Sequence, residues 1–384
     1  MKRCNVCGSP LDEPIYQSES NVSITSLCTL REGCKKVWLC PICTHLSSEA
    51  LEDTNQYYET DYRILLNEED EDQIYEVRDG KTIYRTEHQI KTLLQKVPLP
   101  QNSKLLDFGC AKASTAKRLL STRKDLYISL FDVSSMYTNY WDQFIKSDQY
   151  ALYQTPDHWR ANFDLITSFF ALEHIPSPLS TVRNIADLLD QNGTFYGIVP
   201  DTFGNRADFV VIDHVNHFTK VSLYRLLMDA GFQEINIDSR AHRGALIFTA
   251  RKKGPRTPAP CIGSIPKDAH ELAVYWKNIG ATIRSIEGSF MDKTGAIYGS
   301  GFYGSYILST LATRSRITCF IDANPYQQGK TVFGKPVISP ENMPSEINLV
   351  YVGLNPSIAH EVMNQLGWED NHQLTLIYMD DELE

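Results

Sequence analysis

The chain has no long apolar run, no surplus of positive charge and no leader-like start. Nothing in its 384 residues approaches the roughly 18 apolar residues of a membrane-spanning helix, so no membrane partner is expected. Lys plus Arg number 37 against 47 Asp plus Glu, a net charge of −10. A chain this acidic lacks the basic surface that neutralises nucleic-acid phosphates, so nucleic acid is not an expected partner. Met1-Lys2-Arg3 runs straight into Cys4 without an apolar stretch. No secretory signal is read there, and the cytoplasm is the expected location. In that compartment the nine cysteines point to metal or free thiols rather than disulfides.

What is present begins with those cysteines. Cys4-x-x-Cys7 and Cys40-x-x-Cys43 each offer two thiolates, and two such knuckles close one tetrahedral four-thiolate zinc site. Four thiolates leave no open position, so the expected Zn2+ is structural. Cys28, Cys34 and His45 fall outside that spacing and read as structural residues. Residues 46–100 are polar and tyrosine-rich (Tyr57, Tyr58, Tyr62, Tyr75, Tyr84), with an acidic run Glu68 to Asp72 expected as a solvated loop. Thr82 to Val97 reads as a helix.

Lys104 to Cys110 is a short apolar strand ending in Asp107, then Gly109, then a helical stretch from Ala113 to Leu120. A second strand, Leu126 to Phe131, ends in Asp132-Val133. This strand–turn–helix–strand unit opens a doubly wound α/β fold. The turn lets backbone approach a ligand, and a carboxylate at the next strand tip accepts from two ribose hydroxyls. A phosphate cradle would want glycine at 111 and 113, and alanine stands at both. A nucleoside without phosphate, an adenosyl group carrying an amino acid, suits the turn better.

Further strands are expected at Tyr150 to Tyr153, Phe163 to Phe170 and Thr194 to Val199, the last preceded by an Asn192-Gly193 turn. Helices are expected at Leu179 to Leu189 and at Ser222 to Ala230. An antiparallel pair, Ile235 to Ile237 with Ala245 to Ala250, closes one α/β domain of about 200 residues. Lys252 to Pro266 holds four prolines and reads as a linker. A second α/β unit follows a long helix (Ala269 to Ile286). Its Gly299-Ser-Gly301-Phe-Tyr-Gly304 turn matches a dinucleotide fingerprint, with Asp322 at the next strand tip. The plainer reading gives those glycines a close-packing role.

Leu105-Leu-Asp107-Phe-Gly109-Cys-Ala-Lys-Ala, Phe131-Asp132 and Phe169-Phe-Ala-Leu-Glu173-His174-Ile-Pro resemble the motifs of class I S-adenosylmethionine-dependent methyltransferases. The order of four-Cys knuckles, this core and a C-terminal Rossmann-like unit with Ile321-Asp322-Ala-Asn-Pro is similar to the zinc-knuckle C-methyltransferases of deoxysugar biosynthesis. That resemblance implies three domains: 1–50 for zinc, 51–254 for methyl transfer and 267–384 Rossmann-like. It implies S-adenosylmethionine as cofactor, with Asp107, Phe108, Gly109, Asp132, Val133 and Phe170 at its pocket. It also implies a nucleotide-linked keto-sugar or other small-molecule substrate, methylated on carbon through an enolate. His214 would be the base, oriented or supported by Asp213, with His174 donating to the enolate oxygen and His217 next in line as base. The resemblance departs at Ala111, a glycine in the family, and at Val211, a tyrosine. Those departures motivate one alternative, a catalytically inactive sugar-nucleotide-binding protein; an O-methyltransferase on a sugar is another. An NAD-linked enzyme using Gly299–Gly304 is a third. The sugar, the nucleotide and the oligomeric state stay open.

Overall fold

The computed structural model describes residues 2–63, 72–78, 80–290 and 293–380. The acidic run expected as a solvated loop lies, but for Asp72, outside them. Two compact units emerge: residues 1–15, 36–209 and 213–269, and residues 16–35, 210–212 and 270–384.

The first unit holds β1 (Leu46–Ser48), α1 (Arg85–Lys96), β2 (Lys104–Phe108), α2 (Ser114–Thr122), β3 (Tyr127–Asp132), β4 (Tyr150–Leu152), β5 (Phe163–Phe169), α3 (Pro178–Leu188), β6 (Leu189–Pro200), β7 (Asn216–His217), α4 (Lys220–Asp229), β8 (Glu234–Asp238) and β9 (Ala245–Arg251). Seven of these strands form one sheet in the order β4-β3-β2-β5-β6-β9-β8. The first five run parallel, and β9 is antiparallel to both its neighbours. The sheet is thus mixed α/β, as expected. Alternation along β2 sends Leu105 and Leu106 to opposite faces. Leu105 joins Ile128, Leu130, Leu165 and Ile198 beside α1 and α2 residues. Leu106 joins Phe131, Ile166, Phe195 and Phe248 beside α3 and α4 residues, in a cluster that reaches Val6, Leu11 and Trp38 next to the thiols.

Three local expectations are revised. Thr82 to Val97 is a strand, Lys81–Tyr84, before it is a helix; Val97-Pro98 then stops the helix, since the residue before proline avoids the α region. Asn192-Gly193 is not a turn but lies within β6: the pairing jumps from Phe163↔Leu189 to Leu165↔Thr194, leaving the intervening residues as a bulge. Ala111 and Ala113, expected to resist left-handed backbone, both adopt it, at φ +44° and +57°.

In the second unit a helix that begins in the first (Ile265–Ser289) leads to a sheet in the order Thr331–Val332, Lys335–Ile338, Ile317–Ile321, Gly295–Tyr298, Leu349–Val352, Thr375–Ile377. Among the described residues no helix is long and apolar enough to cross a membrane.

Candidate active site

In a doubly wound sheet, ligands settle outside the carboxyl ends of the strands where the strand order reverses. Here that place is the tip of β2, flanked by β3 and β5. Gly109 follows β2 at φ +71°. A Cβ there would stand 2.7 Å from the Ala171 Cβ, so only glycine fits. The Gly109 and Cys110 N–H groups donate to the Phe131 carbonyl at 2.8 and 3.2 Å, which binds the turn to β3. Asp132, at the tip of β3, accepts from the N–H of Ala111 (2.8 Å) and of Ser134 (3.1 Å). Burial pushes its carboxyl up to about 6, against the backbone donors that pull it down. Each carboxylate oxygen carries a second lone pair, and a buried carboxylate beside a turn stripped of side-chain bulk fits an adenosyl ribose. Ala111 accepts the left-handed conformation to place its N–H on Asp132, a cost of about 1–2 kcal/mol for a residue with a Cβ.

The other expected pocket residues are placed differently from one another. Asp107 is buried and takes the Thr167 hydroxyl at 2.8 Å. Burial pushes it up to about 7. Phe108 turns its ring into the core against Phe131, centroids 4.6 Å apart, so its backbone and not its ring borders the turn. Val133 is half exposed at the lip. Phe170, at φ +53°, lies under the Arg85 guanidinium at 3.9 Å.

The acid–base groups gather after β5 and before β7. The His174 and His214 rings meet edge to face, centroids 4.7 Å apart. His214 Nδ1 donates to Asp208 Oδ1 at 2.6 Å, so the carboxylate that orients it is Asp208 and not its neighbour Asp213. Burial alone would lower the His214 imidazole, but the bond to Asp208 and the nearby carboxylate charges together outweigh it and hold the group above its ordinary value. Asp208 is pushed up by burial yet held far below the usual carboxylate range by His217 and His214. Asp213 stands instead with His174: its carbonyl accepts from His174 Nδ1 at 3.1 Å, and its carboxylate accepts the Tyr57 hydroxyl at 3.3 Å. His217 is fully buried, with Nδ1 on Asp208 (2.9 Å) and Nε2 on Ser48 Oγ (2.9 Å). With both nitrogens engaged it is a brace and not a spare base.

Nothing in the sequence marks Asp208, whereas Glu173 stands beside His174 as an acid–base pair and the tyrosines read as packing residues, one or two of them covering a ligand. Tyr57 to Asp61 forms a single wide helical turn. From it the Tyr58 hydroxyl reaches His174 Nδ1 at 2.9 Å, and Glu59 takes the Ser135 hydroxyl and N–H at the tip of β3. Tyr58 and Tyr62 both lie edge-on to the His174 ring. Tyr75 stacks on His88 at 3.7 Å.

The four knuckle thiols come together. Sγ–Sγ distances are 3.5 Å for Cys4–Cys43 and for Cys7–Cys40, and all four sulfurs lie within 4.8 Å of one another. A tetrahedral zinc with Zn–S bonds of about 2.3 Å needs sulfurs about 3.8 Å apart, so the donor set fits that ion. Each knuckle is the same turn: Gly8 and Thr44, both with positive φ, donate their N–H to the carbonyls of Cys4 and Cys40. Cys28 and Cys34 lie in the other unit. His45 is fully buried, with Nε2 at 3.2 Å from Asn216 Oδ1.

At the second glycine motif, a Cβ on Gly304 would lie 1.9 Å from the Gly299 carbonyl, and one on Gly353 would lie 2.5 Å from the Gly304 Cα. These glycines serve close packing. Asp322 already accepts from Ser300 N–H (2.9 Å), Ser300 Oγ (2.6 Å) and Asn324 N–H (2.8 Å).

Residues 80–237 match the family described as "Methyltransferase domain". No curated protein matches. Solved structures similar to the chain include a putative methyltransferase complexed with the Haloferax volcanii Trm112 activator (17% identity, 44% of this chain and 91% of that chain, TM-score 0.37). Haemonchus contortus phosphoethanolamine N-methyltransferase 2 with S-adenosyl-L-methionine is another (12% identity, 43% and 52%, TM-score 0.36). An S-adenosylmethionine-dependent methyltransferase from Mesorhizobium loti is a third (14% identity, 43% and 97%, TM-score 0.35). The family match spans α1 and six of the seven strands of the sheet whose tips carry Asp107, Asp132 and Glu173. This crevice lies within the residues that match a methyltransferase domain.

Proposed function

We propose that the enzyme methylates the carbon beside the ketone of a nucleotide-linked keto-sugar. The observation that carries this reading is the buried Asp208–His214 pair at 2.6 Å. A carbon acid needs a base poised near neutral pH, and an imidazole whose far nitrogen is held by a carboxylate is such a base. The methyl donor supplies an electrophilic methyl group. Asp132 would hold its ribose, with Gly109 and the Phe170 lip beside it. His214 Nε2 takes the α-proton, and Asp208 stabilises the imidazolium that forms. Tyr58 and the Asp213 carbonyl fix the ring of His174 beside it. On this reading residues 1–50 bind a structural zinc through Cys4, Cys7, Cys40 and Cys43, residues 51–254 perform the transfer, and residues 267–384 form a Rossmann-like unit.

The test is incubation with S-adenosylmethionine and a panel of nucleoside-diphosphate keto-sugars in D2O. The expected outcome is a methylated product and deuterium exchange at the α-carbon, both lost in His214→Ala while donor affinity stays within about twofold. Donor binding with no methylation of any keto-sugar nucleotide sinks the reading in favour of an inactive sugar-nucleotide binder. Methylation on oxygen that survives His214→Ala, within about tenfold, sinks the base assignment, because losing a general base costs about 10²–10⁴-fold.

A further inference from the structure

Glu173 is the one member of the cluster to which the chemistry above gives no part. It follows β5 in the short turn Leu172–His174, and its side chain is 1% exposed. Its Oε2 has no hydrogen-bond partner, an arrangement that costs about 1–3 kcal/mol when nothing compensates it. One Glu173 oxygen, one His174 ring nitrogen and one His214 ring nitrogen lie within 4.8 Å of one another. So a buried carboxyl with one oxygen unpartnered sits beside His174 and His214.

The tautomers decide what that oxygen can do. A carbonyl only accepts, so the contact of His174 Nδ1 with the Asp213 carbonyl at 3.1 Å puts the proton of His174 on Nδ1. Burial, and then His214, push His174 down to about 4, so the ring is neutral and its Nε2 is an acceptor. His174 in this state cannot donate to a developing enolate oxygen, the role the resemblance implied for it. His214 carries its Nδ1 proton toward Asp208 and presents Nε2 as the base. A donor for the enolate oxygen must come from elsewhere.

We propose that Glu173 acts as a neutral carboxylic acid whose Oε2–H donates to the enolate oxygen while His214 removes the α-proton. This rests on the keto-sugar reading and deepens it by assigning the second half of the enolisation. Burial pushes Glu173 up to about 8, with Asp208 raising it and His214 and Arg85 pulling the other way. Tyr58 and Tyr62 also face it, and both hydroxyls are held neutral by burial. The acid form therefore predominates at neutral pH, and a carboxylic acid kept neutral in an apolar site is a strong donor to an oxyanion. The step balances. The C–H electron pair moves into the enolate as its proton goes to His214 Nε2, and the oxygen is held by Glu173 without net proton transfer. The C–C bond forms as the S–CH3 bond breaks and the thioether leaves. The imidazolium then loses its proton to solvent.

Two variants separate this role from others. Glu173→Gln keeps a donor of the same length, and Glu173→Leu removes it. With a thymidine-diphosphate 4-keto-6-deoxyhexose as probe, Glu173→Gln is expected within about tenfold of the parent kcat. Glu173→Leu should fall by about 10²–10³-fold, the loss typical of one oxyanion donor, with donor affinity and melting temperature retained in both. Equal losses in the two variants would overturn the proposal, because they point to a carboxylate. Infrared difference spectra of the parent against Glu173→Gln at pH 7 need no substrate: a protonated carboxyl stretch is expected, and an ionised Glu173 overturns the proposal whatever the sugar. A parent enzyme that shows the protonated band yet methylates no keto-sugar overturns the keto-sugar reading instead. A second metal ion per chain, lost with Glu173→Leu, overturns the donor role in favour of a Glu173–His174–His214 metal site.

Discussion

Asp208 and His214 meet at 2.6 Å, and the other oxygen of the same carboxylate holds His217 at 2.9 Å. One anion therefore fixes two imidazoles. Asp208→Asn keeps the shape but can present a donor where His214 Nδ1–H needs an acceptor, which favours the wrong tautomer. Turnover is expected to fall by about 10²–10⁴-fold, with S-adenosylmethionine affinity, read by calorimetry, unchanged. A loss under tenfold would remove Asp208 from the base.

The pH dependence has a defined sign. His214 is held above its ordinary value of 6.5, so the free base accumulates only above that value. The kcat/KM profile should rise through an apparent pKa above 6.5 and shift down in Asp208→Asn. Stability runs the other way. A raised imidazole stabilises the fold fully below the unfolded value, and this contribution fades as pH rises through the folded value. The melting-temperature advantage of the parent over Asp208→Asn should be largest near pH 6 and shrink toward pH 9; a constant difference would refute the linkage.

Ala111 donates to Asp132 from φ +44°. Ala111→Gly relieves that conformation, at the cost of a more flexible unfolded chain. A net gain of about 0.5–1 kcal/mol is expected, or about 2–4 °C per kcal/mol for a domain of this size. Calorimetry checks it, and a lower melting temperature would mean that the Ala111 methyl carries packing worth more than the strain.

Cys4→Ser should reduce bound zinc from one equivalent per chain to a small fraction and lower the melting temperature together. Metal analysis and thermal denaturation read the two quantities on one sample. Full zinc retention would place the ion elsewhere than the Cys4, Cys7, Cys40 and Cys43 thiols.

Much of the central sheet was legible because its strands are short apolar runs ended by carboxylates. Asp107, Asp132 and Glu173 sit at three strand ends, and the knuckle cysteines carry their spacing openly. The pairing of the histidines was not legible. Asp213 adjoins His214 in sequence, yet it ends a turn and the two side chains part there: Asp213 goes to Tyr57 and His174, His214 to Asp208. Asp208 is brought round by a short 3-10 turn, Arg206–Val210, which leaves no periodic trace. The Tyr57–Asp61 turn was hidden for the same reason, one isolated wide turn in a polar stretch. The left-handed alanines were misjudged because propensity weighs a residue alone, whereas Asp132 offers the Ala111 N–H a buried acceptor.

The two residues of β7 pair with β1, Asn216 opposite Ser47 and His217 opposite Leu46, and β1 follows directly on the second knuckle. Asn5, between the first two cysteines, donates to the side chain of Asn216 at 3.0 Å, and Asn216 in turn holds the carbonyls of Leu172 and Ile175 at 2.9 and 2.7 Å. The amino-terminal segment is thus stitched to both loops that carry the acid–base groups. Exchanging it for a foreign zinc module, or trimming it away, would leave β7 an open edge and let the proton-handling loops drift. The thiol-bearing end of this chain is thus also the support of the loops that carry His174 and His214.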